Sequence, residues 1–455
     1  MQVRKTDKVR FISFGFAVLA GAWILMYIIG CYSSRKAEEV DEVAIVLDWN
    51  KFLLVAEMHT EGYRGPVASR AYGYIGLAAY EASLPGLAGE FQSFTSRYDG
   101  LVLPVPPPKD QFDLRTSLNG CYATMLSRFF LTAPEPTRRE MLKMAEKWDL
   151  LISEKIDSTT MRLSKAFGRD VANAVFAYSA TDSLGYRANH HNYDRSYIPP
   201  VGDGKWVSSP DFPMPPLLPY WGKVRPFDIE TSDYLAKPLP EYSTQTNQTY
   251  YVQALELISL SKPLSAENQW IAEFWDDDHP GLTFTPPGHW LAITNQVIEK
   301  EHPPIEKTIE TYLKVGIALA DAMIAAWYSK YDYSMERPET YIQKHIDATW
   351  RPFSPTPSFP SYPSGHAMMG AAAAEVLTSL YGTDYKLTDK SHIDRTDFAV
   401  KPRSFNSFDQ MAKENALSRI LLGVHWRMDA EEGLRLGALI GKQVSQLEIE
   451  NKLTE

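Results

Sequence analysis

Apolar and small residues recur at intervals of three and four over most of this chain, the spacing that lines one face of a helix. The run from Ala68 to Ala82 (ASRAYGYIGLAAYEA) shows it most fully, within helical patterning that extends over about 45–195. The pattern resumes near Tyr250, from about Pro304 to Lys330, after Pro363, and from about Phe408 to Leu447. No alternating strand run competes with it, so a parallel α/β sheet lacks support. Prolines punctuate the helices. Pro104, Pro106, Pro107 and Pro108 break the first stretch, and ten prolines from Pro199 to Pro240 make a segment that neither a helix nor a central strand accommodates. That segment reads as a wrapping loop or a domain junction between helical regions over 45–245 and 246–455. No internal repeat or low-complexity tract appears.

The amino terminus follows a different pattern. Arg4, Lys5, Lys8 and Arg10 precede an uncharged stretch from Phe11 to Gly30, which ends at Cys31 and passes into the polar YSSRKAEEVDEV. About 20 apolar residues rise ~30 Å as a helix, enough to cross a bilayer with the positive flank on the cytoplasmic side. Ile28-Ile29-Gly30-Cys31 also resembles a bacterial lipobox, with Ile28 where Leu is commoner. Residues 1–31 therefore read as a lipoprotein signal or, second, an uncleaved anchor, and 32–44 as a tether. The body is expected outside the cytoplasm, held to the membrane.

Composition narrows the function classes. A mean hydropathy of −0.28 excludes a bundle of many membrane spans. Net charge is −10, and because residues 1–36 hold six Lys/Arg against one Asp, the remainder carries −15. An acidic body with no basic stripe sets nucleic-acid binding aside. The two cysteines, Cys31 and Cys121, offer neither a disulfide framework nor a zinc-ligand spacing, and Cys121 reads as a buried inert thiol.

Three segments in the last third carry the chemistry. Lys330-YDYSME-Arg337-Pro338 brings two cations toward one place, the first near the end of an amphipathic helix. Ser364-Gly365-His366 precedes an Ala-rich helix-forming run, with Ser364 as the expected N-cap and free helix-start amides suited to an oxyanion. Ser418-Arg419-ILLGV-His425-WRM-Asp429 places a carboxylate four residues after a histidine, where one helical turn would bring it beside the ring. Singly, each is bland: a solvated cation, a core histidine, a cap. Together they suit a tetrahedral oxyanion. Lys330, Arg337 and Arg419 would offset charge on three equatorial oxygens, while His425 and His366 take opposite apical sides, as an in-line displacement at phosphorus requires.

These segments resemble the K-x6-RP, PSGH and SR-x5-H-x3-D signature of the type 2 phosphatidic acid phosphatase and vanadium-dependent haloperoxidase superfamily. The resemblance implies an all-α fold with the site in a helical bundle. It implies that Lys330, Arg337, Ser364, Gly365 and Arg419 bind phosphate or vanadate oxygens. His366 would be the acid/base, and His425 the phosphorylated nucleophile or the ligand of vanadium. Asp429 would fix the tautomer of His425. The long helical region before the signature, with Glu273-Phe274-Trp275 and Thr285-Pro286-Pro287-Gly288-His289-Trp290, is similar to bacterial vanadium haloperoxidase-like proteins. Trp327 and Phe359 stand where haloperoxidases carry residues of the halide and peroxide pocket, although helix packing explains them equally.

Two enzymatic readings follow. The first is a vanadium-dependent haloperoxidase that holds vanadate as cofactor and uses hydrogen peroxide to oxidise bromide or iodide ahead of chloride. The second is an exported acid phosphatase that hydrolyses phosphomonoesters through a phosphohistidine and needs no cofactor. A catalytically silent surface-binding protein is the third reading, and oligomeric state stays open. Elsewhere, Asp276, Asp277, Asp278 and His279 read as a solvated turn rather than a metal site. His289 reads as a residue near the pocket or, in preference, as a structural histidine bonded to a backbone carbonyl, and His190, His191 and His392 read as surface residues. Asn247-Gln248-Thr249 fits a glycosylation acceptor, set aside because the leader looks bacterial.

Overall fold

The computed structural model describes residues 40–449 apart from 90, 261–262 and 399–400. The membrane-targeting segment, Cys31 and most of the tether lie outside the described residues. Among the described residues, no helix is long and apolar enough to cross a membrane. From Glu42 onward the chain forms one compact unit, and its elements are mostly helical.

The first half carries α1 (Glu42–His59), α2 (Gly65–Ser83), α3 (Leu114–Phe129), α4 (Glu135–Ser153), α5 (Ser158–Ala180) and the short α6 (Ser183–Arg187). Side-chain caps start several of them: Asp113 accepts from the Thr116 amide at 2.8 Å, and Asp157 from Thr159 and Thr160. Helix α2 is buried along its whole length, as expected of a helix whose small and apolar residues run all round it. Cys121, in α3, is buried, and burial pushes its thiol pKa up, away from the reactive thiolate.

The second half carries α7 (Thr249–Leu260), α8 (Ala266–Phe274), α9 (Pro286–Glu301), α10 (Ile305–Tyr333), α11 (Pro338–His345), α12 (Gly365–Tyr381), α13 (Phe408–Leu421) and α14 (Arg427–Ser445). Helix α10 has 29 residues, so it runs roughly 43 Å. It packs against both α2 and α12 and links the two halves. Helix α14 lies directly on α12. Gly433, Gly437 and Gly441 face the carbonyls of Ser364, Met368 and Ala372, where any Cβ would collide with main chain. Spaced four apart, they line one face of α14 and let two helices that carry site residues approach backbone to backbone.

One departure from the helical reading is small: β1 (Leu387–Asp389) pairs antiparallel with β2 (Arg403–Phe405), Leu387 opposite Phe405. Three-residue strands are too short for a period-two pattern to be distinguishable. Residues 199–240 contain two short 3₁₀ turns, Trp221–Lys223 and Thr231–Asp233, and the isolated bridge residues Lys205 and Leu217. Asp321 of α10, fully buried, accepts the amides of Phe227, Asp228 and Ile229 at 2.7, 2.8 and 3.3 Å. The Ala236 amide reaches Ser329 Oγ at 3.2 Å and the Lys237 amide reaches Glu432 at 2.7 Å. Proline removes donors from this segment, and carboxylates of the bundle take up several of the amides that remain.

Candidate active site

Each signature spacing has a backbone cause. Helix α10 ends just after Lys330, where the Ser334 amide bonds the Lys330 carbonyl at 2.9 Å in a left-handed turn. The chain then runs extended to Arg337, the N-cap of α11, with Pro338 in the first helical position. Helix α13 ends just after Arg419. Gly423, at φ +78°, reverses the chain so that the amides of Val424 and His425 both bond the Arg419 carbonyl, at 3.2 and 3.3 Å. Arg419 and His425 are therefore parts of one turn. Ser364 caps α12, its hydroxyl accepting from the Ala367 amide at 3.4 Å. The amides of Gly365 and His366 then occupy the first turn, where a helix has no acceptor of its own for them. Two main-chain bonds knit the segments together: Ser361 N to Met335 O at 2.9 Å, and Ser364 N to Asp429 O at 2.9 Å.

Asp429 lies beside His425 by a route other than a shared helical turn. His425 precedes α14, which starts at Arg427, and Asp429 sits in the first turn of that helix. Its Oδ2 accepts from the Trp426 amide at 3.1 Å, from Ser361 Oγ at 2.5 Å, and from His425 Nδ1 at 2.8 Å. On the other side of the ring, Arg337 Nη1 stands 3.2 Å from His425 Nε2. Arginine is only a donor, so Nε2 accepts and the proton resides on Nδ1. The lone pair of Nε2 is turned toward the arginine.

The three cations are held by main chain. Lys330, fully buried, donates to the carbonyls of Pro360, Ser361 and Pro363 at 3.0, 2.7 and 2.6 Å, which accounts for all three of its protons. In this state it anchors the loop ahead of Ser364. Arg337, also fully buried, donates to Phe359 O through Nε (2.9 Å) and to Val424 O through Nη1 (2.7 Å). Arg419 donates to Trp275 O at 2.9 Å, with Asp276 at 4.0 Å. Of the buried nitrogens that lack a partner among the described residues, three belong to this site: Arg337 Nη2, Arg419 Nε and His366 Nε2. Unpaired buried polar atoms are costly, so three on residues that act on one another electrostatically mark a place that suits a guest.

The proton affinities show the same crowding. Burial first, then Arg337, Lys330, Arg419 and His366, hold His425 well below the usual histidine range, so the ring is neutral at pH 7. Burial, then Arg419, depress His366 in the same way, with Lys330 and Arg337 adding to it. Burial and the neighbouring Arg337 push Lys330 down, and burial lifts Asp429 to about 6. Lys330, Arg337 and Arg419 all act electrostatically on both His366 and His425. The indole of Trp327 packs on Phe359 with ring centroids 4.9 Å apart, and the Arg337 guanidinium lies 4.8 Å from the Phe359 centroid. These two aromatics line the same corner.

A family model for the VCPO second helical-bundle domain matches residues 310–451, which contain all of these side chains. Vanadium chloroperoxidase of Curvularia inaequalis is 24% identical over 87% of this chain and 81% of its own length. The vanadium-dependent bromoperoxidase of Ascophyllum nodosum is 35% identical over a shorter stretch, 19% of this chain and 17% of that one. A solved structure of a bacterial vanadium-dependent iodoperoxidase superposes with a TM-score of 0.80 at 27% identity, covering 92% of this chain and all of that one. In sequence and fold the chain is similar to the vanadium haloperoxidases, enzymes of the same superfamily as histidine phosphatases.

Around the superfamily site, the structure adds residues the sequence reading missed. Ser361, the carbonyls of residues 359–363 and the Trp275 carbonyl hold the cations and Asp429, yet a carbonyl leaves no side-chain signal. The reading of 276–279 as a solvated turn is corrected: Asp277 is buried, 4% exposed. His392 is likewise not a surface residue, at 2% exposed, whereas His190 and His191 are exposed. His289 bonds no carbonyl through its ring. Its Nδ1 meets Asp277 Oδ2 at 3.0 Å and its Nε2 meets Asp389 Oδ2 at 2.9 Å. Burial alone would lower the pKa of His289, but the two carboxylates raise it to about 9. The sequence distance between these partners, 100 residues for His289 and Asp389, hides such a cluster from any spacing argument.

Proposed function

We propose that the protein is a vanadium-dependent haloperoxidase that uses hydrogen peroxide to oxidise halide, iodide or bromide ahead of chloride. The single observation that carries this reading is the set of three buried unpartnered nitrogens on Arg337, Arg419 and His366, backed by a third cation, Lys330. Vanadate fits that set. It is an oxyanion with several acceptor oxygens, and charge-assisted bonds from guanidinium groups are the strong ones. Arg337, Arg419, Lys330, Ser364 and the Gly365 amide would hold its oxygens, and the Nε2 lone pair of His425 would bind vanadium. When bound, vanadate supplies Lewis acidity that activates hydrogen peroxide toward a halide.

The chain's own residues do the rest. Asp429 keeps the proton on Nδ1 of His425, so Nε2 presents a lone pair rather than a hydrogen. Arg337 Nη1, which the Nε2 lone pair of His425 faces here, would give up that contact to the guest while keeping its bonds to the Phe359 and Val424 carbonyls, and Lys330 adds positive charge while anchoring the loop. An arriving anion lessens the repulsion that Arg419, Lys330 and Arg337 exert on His366. That ring can then take up a proton and pass it on through Nε2. The likeness to an iodoperoxidase over most of both chains supports iodide or bromide, and Trp327 with Phe359 gives a polarisable anion an apolar wall.

The test is a side-by-side assay of purified protein. Incubated with vanadate, hydrogen peroxide and one halide at a time, it is expected to halogenate an activated organic acceptor with iodide or bromide, and not without vanadate. Vanadate-inhibited release of phosphate from phosphomonoesters, with no halide oxidation, would replace this reading by the phosphatase one. Silence in both assays would leave a surface-binding protein. The proposal also places the body outside the cytoplasm, tethered through the amino terminus. It rests there on the basic flank, the uncharged stretch and Cys31, and loss of membrane fractionation in Cys31→Ser would support lipidation over an anchor.

A further inference from the structure

Beside the oxyanion site lies a second cluster of opposite chemistry, and we propose that Asp277, His289 and His392 form a binding site for one divalent transition-metal ion of the zinc class. The three come from separate elements: Asp277 from the loop after α8, His289 from the first turn of α9, and His392 from the turn after β1. One ligand atom from each can be chosen so that all lie within 4.8 Å of one another. Each residue is at most 4% exposed. Two imidazoles and a carboxylate are borderline donors that suit zinc and its first-row neighbours.

The hydrogen-bond pattern leaves room for a cation and for little else. A doubly paired imidazolium at His289 would account for Asp277 Oδ2 and Asp389, but not for the remaining atoms. His392 Nε2 stands 2.8 Å from Asp277 Oδ1, and neither atom has a further partner among the described residues. A buried nitrogen and a buried carboxylate oxygen facing one another in this way are what two ligands of one ion present. Asp389 completes the arrangement from outside. It accepts from His289 Nε2 at 2.9 Å, and its own Oδ1 is held by Gln296, the Ser391 amide and the Ser391 hydroxyl. A carboxylate fixing the far nitrogen of a ligating histidine is the usual second layer of a metal centre, and it directs Nδ1 toward the ion.

The surroundings fit a buried ion held by three protein ligands. Trp275 stacks on His289 with centroids 4.4 Å apart, and Phe284 stacks on His392 at 4.8 Å. Vanadate does not belong here, because two buried carboxylates repel an oxyanion. The ion would instead hold the 275–278 segment, whose Trp275 carbonyl anchors Arg419. It would bear on the oxyanion site through that one side chain.

The full chain, stripped with chelator and titrated with Zn²⁺, is expected to take up one ion per chain. Co²⁺ in its place is expected to give the visible bands of low-coordinate imidazole–carboxylate ligation. Asp277→Asn and His392→Gln should weaken Zn²⁺ binding by about 100-fold or more, and Asp389→Asn by ~10–100-fold. His425→Ala should bind Zn²⁺ as tightly as the wild type, which separates this centre from the oxyanion site. Absence of saturable binding by the wild type, or equal binding by wild type and a folded His392→Gln, would overturn the proposal. If the variants fail to fold by circular dichroism, the wild-type Co²⁺ spectrum decides: aqua-ion bands at one equivalent overturn it, and low-coordinate bands support it.

Discussion

Two neighbouring clusters of this protein are both buried and both rich in histidine, yet they are built for guests of opposite sign. Around His425 the surplus is positive: three cations, with His425 and His366 held neutral by burial and by the cations themselves. Around His289 the surplus is negative, and two carboxylates raise the pKa of that histidine to about 9. The same side chain thus has opposite proton affinity in the two clusters because its company differs. Trp275 and Asp276 form the seam, presenting a carbonyl and a carboxylate to Arg419 on one side while their neighbour Asp277 faces the histidines on the other. A histidine count says nothing about what a site binds; the sign of the surrounding charge and the atoms left unpartnered do.

The most severe break of this contrast is His425→Ala. It is expected to lower peroxide- and vanadate-dependent halide oxidation by about 10³-fold or more, leaving Zn²⁺ uptake at the second cluster unchanged. Next is Asp429→Asn. It keeps the shape but loses the carboxylate that sets the tautomer of His425, so turnover should fall by ~10–100-fold, more in kcat than in KM; a drop confined to KM would contradict the positioning role.

Much of the first cluster was legible because chain reversals fix its spacing. The six residues between Lys330 and Arg337 are a helix end and a helix start, and the five between Arg419 and His425 are one turn through Gly423. Such local geometry leaves a motif. The helical character was legible for the same reason, since a 3.6-residue period is a local property. The second cluster draws on segments near 277, 289 and 390 that only the folded chain brings together, so His392 read as a surface residue and Asp277 as part of a solvated turn. The helical-turn explanation of Asp429 and His425 failed for a related reason: four-residue spacing also fits a capped helix start, and the main chain decides between them.

Smaller effects sharpen the comparison by testing the frame that holds the first cluster. Gly437→Ala inserts a methyl against the Met368 carbonyl at the α12–α14 contact. It is expected to cost roughly 1–3 kcal/mol, read as a lower midpoint in chemical denaturation, with His425 chemistry retained in whatever fraction folds. The Asp321 clamp on the proline-rich segment is tested through its pH dependence. Burial raises its carboxyl to about 7 despite the three amides it accepts. Because its folded-state value lies above that of the unfolded chain, retention of its proton favours the folded state fully below about pH 4, and that contribution is lost as pH rises to about 7. The stability of the wild type relative to Asp321→Asn should therefore decline between about pH 4 and 7; a rise over that range would contradict the assignment.

The most direct measurement is of vanadium itself. Purified chain is equilibrated with vanadate, freed of excess, and analysed for bound vanadium in parallel with His425→Ala and Arg337→Gln. One vanadium per wild-type chain, with strong loss in both folded variants, is the expected result. No retained vanadium in the wild type, or equal retention in all three, would contradict the claim that the unpartnered nitrogens around His425 are an oxyanion site.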